Sequence, residues 1–284
     1  MNTNRMFLGM ALAILAIAGQ TAFAHISYTG RDFGTLIIST DASITNQVVS
    51  SGFGWADATD TDWGDSHRGR FFRFTLASPL AGDQGVRITV ERNLLGTGAN
   101  GTFLPAFSLF SGLAQQANNE GVQQGSVYRT EALAHDVAAL SIASRPGGTE
   151  GSFRSLANWS IGNDPTYNTA GDPTSGILIA ARLANFTYIG HAADGTSANF
   201  GSATGIAGDG TADGFVTATF SSLAAGDYSL FVGGANYDLQ TAEPGPTYPT
   251  YGVNVTVGLV PEPSTSSLLL GSAALLGLLR RRKA

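Results

Sequence analysis

The sequence predicts an all-β protein: an antiparallel, jelly-roll-like β-sandwich with one short inserted helix. Three observations predict it. Short runs rich in apolar, β-branched and aromatic residues alternate with a period of two, the spacing of a half-buried strand. Between them lie segments such as "AGDQG", "GTGANG", "ADGTSANFG" and "GDGTADG", where Gly and Asx supply the positive φ of tight turns. Composition agrees: 37 glycines, abundant Thr, Ser and Phe and only 13% charged residues favour a turn-rich sheet protein over a helical one.

The elements follow in order. "FGTLIIST" (33–40) is an apolar, β-branched run. "GRFFRFTL" (69–76) sets Phe72 and Phe74 on one face against Arg73 and Thr75 on the other. "VRITVERN" (86–93) groups Val86, Ile88 and Val90 opposite Arg87, Thr89 and Glu91. "PAFSLFSG" (105–112), "GILIAARLANFTYIGHA" (176–192), "GFVTATFSSL" (214–223), "GDYSLFVGGANY" (226–237) and "YGVNVTVGLV" (251–260) continue the pattern. One stretch differs: "TEALAHDVAALSIASRPGG" (130–148) spaces Leu133, Val137 and Leu140 for one helix face. Thr130 can cap its start and Pro146 with the following glycines ends it. No fixed-period repeat or long linker appears, and a single domain over residues 25–258 is favoured over two.

Two successions carry a resemblance. "FFRFTL … VRITVERN … FLPAFSLFSG" and "LAAGDYSLFVGG … YGVNVTV" resemble the jelly-roll modules appended to many secreted bacterial proteins. Those modules show an F-x-F strand, an alternating apolar strand and a later "aG-x-Y-x-l-x-V" hairpin. The resemblance covers about half the chain and implies a fold, not an activity.

The ends are built differently from the middle. Residues 1–24 join Arg5, the apolar run "MFLGMALAILAIAG" and small residues Ala22 and Ala24 in an A-x-A arrangement. That is the pattern of a secretory signal peptide cut by signal peptidase before His25, and its apolar core is short for a membrane span. The exported part then holds all 21 acidic residues against ten arginines, a net charge of −11 where the full chain has −6. Such a surface repels phosphate backbones, so nucleic acid is excluded as a partner. With no cysteine, an exported chain must hold together by its core alone.

The carboxyl end reads "VPEPSTSSLLLGSAALLGLLRRRKA". Pro261 and Pro263 around Glu262 oppose helix or ladder continuation and hold the backbone extended. Residues 264–279 are uncharged and apolar from Leu268 onward, about 24 Å long as a helix and slightly short of a hydrocarbon core. Arg280, Arg281, Arg282 and Lys283 follow, and the positive-inside rule leaves them cytoplasmic with everything before Pro263 outside. A plain tail anchor is the simpler alternative. The three parts together resemble the PEP-CTERM sorting signal, in which a Pro-Glu-Pro motif, a hydrophobic helix and a basic end are recognised by an exosortase. Residues 259–284 are therefore expected to form such a signal, with a transmembrane helix over 264–279. The resemblance implies an integral-membrane cysteine transpeptidase as partner, a membrane-anchored intermediate, and delivery to the cell surface or extracellular polymer.

The middle of the chain offers weaker chemistry. In "WADATDTDWGDSHRGR" (55–70), Asp57, Asp60, Asp62 and Asp65 are spaced so that carboxylates can converge on Ca²⁺, although the spacing is not that of an EF-hand. The same residues fit a solvated acidic turn balanced by Arg68 and Arg70. Asp209 and Asp213 in "GDGTADG" read as turn residues. Trp55, Trp63 and Trp159 with Tyr237, Tyr248 and Tyr251 suit either a sugar-stacking platform or a core. His25, once N-terminal, offers an amine and an imidazole to copper if His67, His135 or His191 approaches. No G-x-S-x-G, H-E-x-x-H, P-loop or cysteine nucleophile is present, and no two of Glu91, Glu120, Glu131, Glu150 and Glu243 stand out as glycosidase carboxylates. The expectation is a non-enzymatic exported protein, structural or adhesive in exopolysaccharide or biofilm and in contact with extracellular polysaccharide. A polysaccharide-active enzyme or copper protein using His25 is the alternative.

Overall fold

The computed structural model describes residues 26–56, 63–114, 152–162, 183–201, 203, 205–243 and 248–261. Within them the chain forms β1 (Asp32–Thr35), β2 (Asp41–Ser50), β3 (Trp63–Asp65), β4 (Arg70–Leu76), β5 (Gln84–Gly96) and β6 (Pro105–Ser111). Then come β7 (Ser152–Arg154), β8 (Trp159–Gly162), β9 (Leu183–Ala193), β10 (Phe215–Ser221), β11 (Gly226–Gly234), helix α1 (Tyr237–Ala242) and β12 (Thr250–Pro261). One sheet runs β1-β4-β11-β6-β9-β8, a second runs β10-β5-β12-β2, and β3 pairs with β7. Every pairing between these strands is antiparallel except β1 with β4. The protein is mostly β, as its alternation predicts. From β4 to β6, and again from β9 to β12, the chain steps between the two larger sheets.

Two clusters make the core, and the alternation of β4 shows why. Phe72, Phe74 and Leu76 point into the space between the two larger sheets, where they meet Val86, Ile88 and Val90 of β5 and Val253, Val255, Val257 and Leu259 of β12. Phe71 points to the opposite face, where it joins Trp55, Phe110, Phe153, Trp159, Phe186 and Phe231. The six-stranded sheet is therefore covered on both sides in its centre. That explains why β6 and β11 read as near-continuous apolar runs instead of alternating ones. The second cluster is an aromatic stack: Trp159 lies on Phe186 at 4.0 Å between centroids, and Phe231 sits 4.6 Å from Phe153 and 4.8 Å from Phe71. Such ring pairs add about 0.5–1.5 kcal/mol each beyond their buried area. Close backbone approach requires glycine at Gly234, where a Cβ would meet the Gly52 carbonyl oxygen at 2.2 Å.

Some elements depart from the sequence reading. The run at 33–40 is not one strand. β1 ends at Thr35, Leu36 turns into the core, and Ile37 and Ile38 are exposed before β2 begins at Asp41. β2 itself went unread, and the strand expected to reach Tyr237 stops at Gly234 and gives way to α1, capped by the Asn236 side chain. The helix expected over 130–148 and the span expected over 264–279 lie outside the described residues. No helix among the described residues is long and apolar enough to cross a membrane.

β12 is an interior strand, paired with β2 on one side and β5 on the other. It continues past residue 258, where the sequence reading ended the domain. Gly258 is its last partner to β2, opposite Asp41, while Val260 and Pro261 still face Gly85 and Gln84 of β5. A one-sided ladder tolerates a proline as its final residue, since proline has no N–H to donate.

The two-sided sheet makes a stability contrast. Phe231→Ala empties a site with ring neighbours on both sides and is expected to cost about 3–5 kcal/mol. Arg87→Ala removes only an exposed ion pair with Asp41 and is expected to cost less than about 1 kcal/mol. Urea denaturation should show a lowered midpoint with unchanged slope for the first and almost no change for the second.

Candidate functional site

Asp65 ends β3, and the turn after it folds back on its carboxylate. One oxygen accepts from the His67 backbone N–H and meets the His67 Nδ1, both at 2.9 Å. The other accepts from Arg68 Nε at 2.9 Å. Burial pushes the Asp65 carboxyl up, but the hydrogen bond and charge of His67 and the charge of Arg68 outweigh it and hold it below the ordinary value. The Arg68 guanidinium in turn lies over the rings of Phe53 at 4.4 Å and Tyr248 at 4.0 Å. Gly54, at φ +102°, lets this arginine pass, since a Cβ there would sit 2.3 Å from its Cδ. Of the four expected calcium ligands, Asp65 thus has both oxygens engaged by its own turn. Asp57, Asp60 and Asp62 lie outside the described residues.

His191 is held by its own neighbours. His191 Nε2 accepts the Ala207 backbone N–H at 2.8 Å, so that nitrogen carries no proton and Nδ1 is the donor, facing the Tyr188 hydroxyl. Burial lowers the His191 pKa and pushes Tyr188 up to about 12, so both groups are neutral near pH 7. Both ring nitrogens are occupied, and the ring packs 5.5 Å from Trp55. His25 and His135 fall outside the described residues. Among the described residues, no three His, Cys, Asp or Glu side chains are grouped to hold a metal.

Of the two readings of the aromatic residues, the core one holds for the tryptophans, which the two-sided sheet takes in. Trp55, Trp63 and Trp159 are all buried, and Trp55 donates its Nε1–H to Ser108 at 2.9 Å. Tyr251 is buried against Phe103, with its hydroxyl donating to Glu243, and Tyr248 is covered by Arg68. These five rings face inward or hold other side chains and share no exposed face, while Tyr237 is half-buried with its ring against Gly201. Asp209 and Asp213 cap their own turn: Asp209 accepts from the N–H groups of Gly195 and Thr211, and Asp213 from that of Phe215. Buried Asp194, which sequence reading missed, ties the same turn down by accepting from Asp213 and Gly214, with burial raising its pKa to about 6. Nothing in the pattern around "HAADGTSANF" marks Asp194 out from the other turn aspartates; only the packing does.

The remaining candidate is the place where the chain leaves the sandwich. Leu259 is bridged to Ile38, its carbonyl accepts the Ser39 N–H at 3.1 Å, and two residues later Pro261 makes the final pairing with β5. Glu262 and Pro263 follow at once, so the Pro-Glu-Pro bracket starts inside the sheet with no linker before it. Residues 259–283 match the model of the PEP-CTERM protein-sorting motif. The chain carries that sorting motif. The motif marks a protein exported and sorted toward the cell surface through an exosortase, a membrane enzyme. Residues 262–284, including Arg280–Lys283, lie outside the described residues, as do Ala22 and Ala24.

No curated protein matches the chain. Solved structures similar to it at low identity include the following two. One is CorA, a surface-associated copper-binding protein important in copper acquisition in Methylomicrobium album BG8. It matches at 15% identity and a TM-score of 0.44, over 82% of this chain and 98% of that one. The other is MopE, a secreted protein of Methylococcus capsulatus in which an oxidized tryptophan facilitates copper binding. It matches at 16% identity and a TM-score of 0.43, over 81% of this chain and 87% of that one.

The Asp65 turn has a pH signature. A carboxylate held below its unfolded value, near 3.9, contributes stability that is present above that value and lost as pH falls through the folded pKa. Asp65→Ala is expected to cost about 1.5–3 kcal/mol at pH 7 by removing charged hydrogen bonds. The gap between variant and native protein should close as pH is lowered below 4, read by thermal melts across pH 2–7.

Proposed function

We propose that this is a non-enzymatic surface or extracellular-matrix protein. In this reading an exosortase releases the folded sandwich from its tail, and the sandwich serves a structural or adhesive role among extracellular polysaccharides. The observation that carries the reading is the continuity of β12 with the sorting motif. The recognition bracket is the direct extension of an interior strand, so the enzyme that reads it meets a completed domain. The non-enzymatic part is supported by how the buried and half-buried polar groups are used. Among the described residues, Asp65, His67, His191, Asp194 and Glu243 are each engaged in hydrogen bonds that hold turns or loops in place. The acidic exported part, rich in Gly, Ser and Thr and low in lysine, suits a hydrated polymer phase.

Intact-mass analysis of cell-envelope and medium fractions tests the processing. The released form should end at or just beyond Pro261, retaining all of β12, and Glu262→Ala should leave full-length chain in the membrane. Full-length chain through Ala284 in every fraction overturns the reading. The role is tested by co-sedimentation: released protein should pellet with polysaccharide from the producing cells, and recovery of all of it in the supernatant would remove the adhesive assignment.

A further inference from the structure

Five large apolar side chains are exposed among the described residues, and four of them form two adjacent pairs. Ile37 and Ile38 are 66% and 46% exposed, and Leu94 and Leu95 are 84% and 43% exposed. The pairs lie at opposite ends of the four-stranded sheet. Gly96 is in register with Tyr251 near the start of β12, whereas Ile38 bridges Leu259 near its end. The isoleucine pair therefore stands where the chain passes to its tail.

That pair sits on a held turn. Leu36 is buried and donates its N–H to Thr75, Thr40 donates to Ile37, and Ser39, at φ 61°, donates to Leu259. Three backbone hydrogen bonds thus fix the segment on both sides while its two largest side chains point into solvent. Around it the surface offers little to repel lipid: Asp41 is paired with Arg87, Asp227 accepts from Thr75, and Asp83 is the remaining exposed acid of the β4–β5 turn.

We propose that Ile37 and Ile38 form a membrane-contact tip that seats the sandwich on the outer headgroup layer while the tail holds it there. The inference rests on reading residues 264–279 as a membrane span. From Pro261 to Leu268, where the apolar run begins, are seven residue steps, which reach at most about 25 Å fully extended. The headgroup layer takes up part of that reach, so the tail holds the end bearing Ile37 and Ile38 within about 20 Å of the interface. Contact of this kind is apolar: a chain this acidic gains nothing from anionic lipid, and the occupant is a zwitterionic leaflet. Once the tail is removed, two isoleucines alone give only weak attachment, so release follows cleavage.

The chain has no cysteine, so single cysteines carrying a polarity-sensitive dye report on chosen positions. Ile38→Cys, Leu95→Cys and Ala274→Cys are placed in the full chain reconstituted in phosphatidylcholine vesicles. The dye at 38 should shift to the blue and be quenched several-fold more slowly by an aqueous quencher than the dye at 95. Raising the salt should change neither result. A protected dye at 274 with equal exposure at 38 and 95 overturns the contact and leaves the span intact. Exposure at 274 overturns the span and the contact together. Protection at 38 that persists in chain ending at Pro263, free of vesicles, means a second copy covers the tip and also overturns the proposal.

Discussion

Burial of the six-stranded sheet on both faces is the constraint from which the rest of the structure follows. A sheet packed on one side would leave Phe71, Phe110 and Phe231 in water; here β3, β7 and the Trp55 segment close over them. With no disulfide available, this second layer adds the buried area that an exported domain needs to stay folded. It also decides the fate of nearly every residue that looks chemically interesting. The three tryptophans are drawn into the layer, His191 packs against Trp55, and Ser108 faces inward because it must accept from the Trp55 ring.

The same constraint divides what the sequence discloses from what it hides. Alternation in β4, β5 and β12 is visible because one face of each packs against the opposing sheet. The second layer leaves its own trace in consecutive apolar residues, such as Phe71-Phe72 and Leu230-Phe231-Val232, which single-face packing does not require. Ile37 and Ile38 mislead because β-branched residues look the same on a strand and on a held turn; only the hydrogen bonds to Thr75 and Leu259 separate the two cases. The six residues of α1 are too few for a periodic signal, and their cap, Asn236, lies within a run that reads as strand.

Among the candidate sites, the sorting motif was fully legible because its meaning lies in local residue types: a proline bracket, an uncharged apolar run and a cationic cluster. The acidic loop was legible only as composition. Whether a carboxylate faces a cation, its own backbone or an arginine depends on the path of the chain, and Asp65 turns to His67 and Arg68. Asp194 could not be picked out for the same reason. Its importance comes from zero exposure and two backbone donors twenty residues away, neither of which leaves a mark in the adjacent sequence.

The interior place of β12 also bears on biogenesis. β2 and β5 come early in the chain, whereas β12, the strand that lies between them, comes last. Without β12, β2 and β5 have no ladder to join them, so closure of the smaller sheet depends on the last strand of the chain's described residues. The strand that completes the sheet also leads into the sorting bracket, so a chain cut short in synthesis lacks both. The architecture thus ties closure of the smaller sheet to the same stretch of chain that begins the sorting motif.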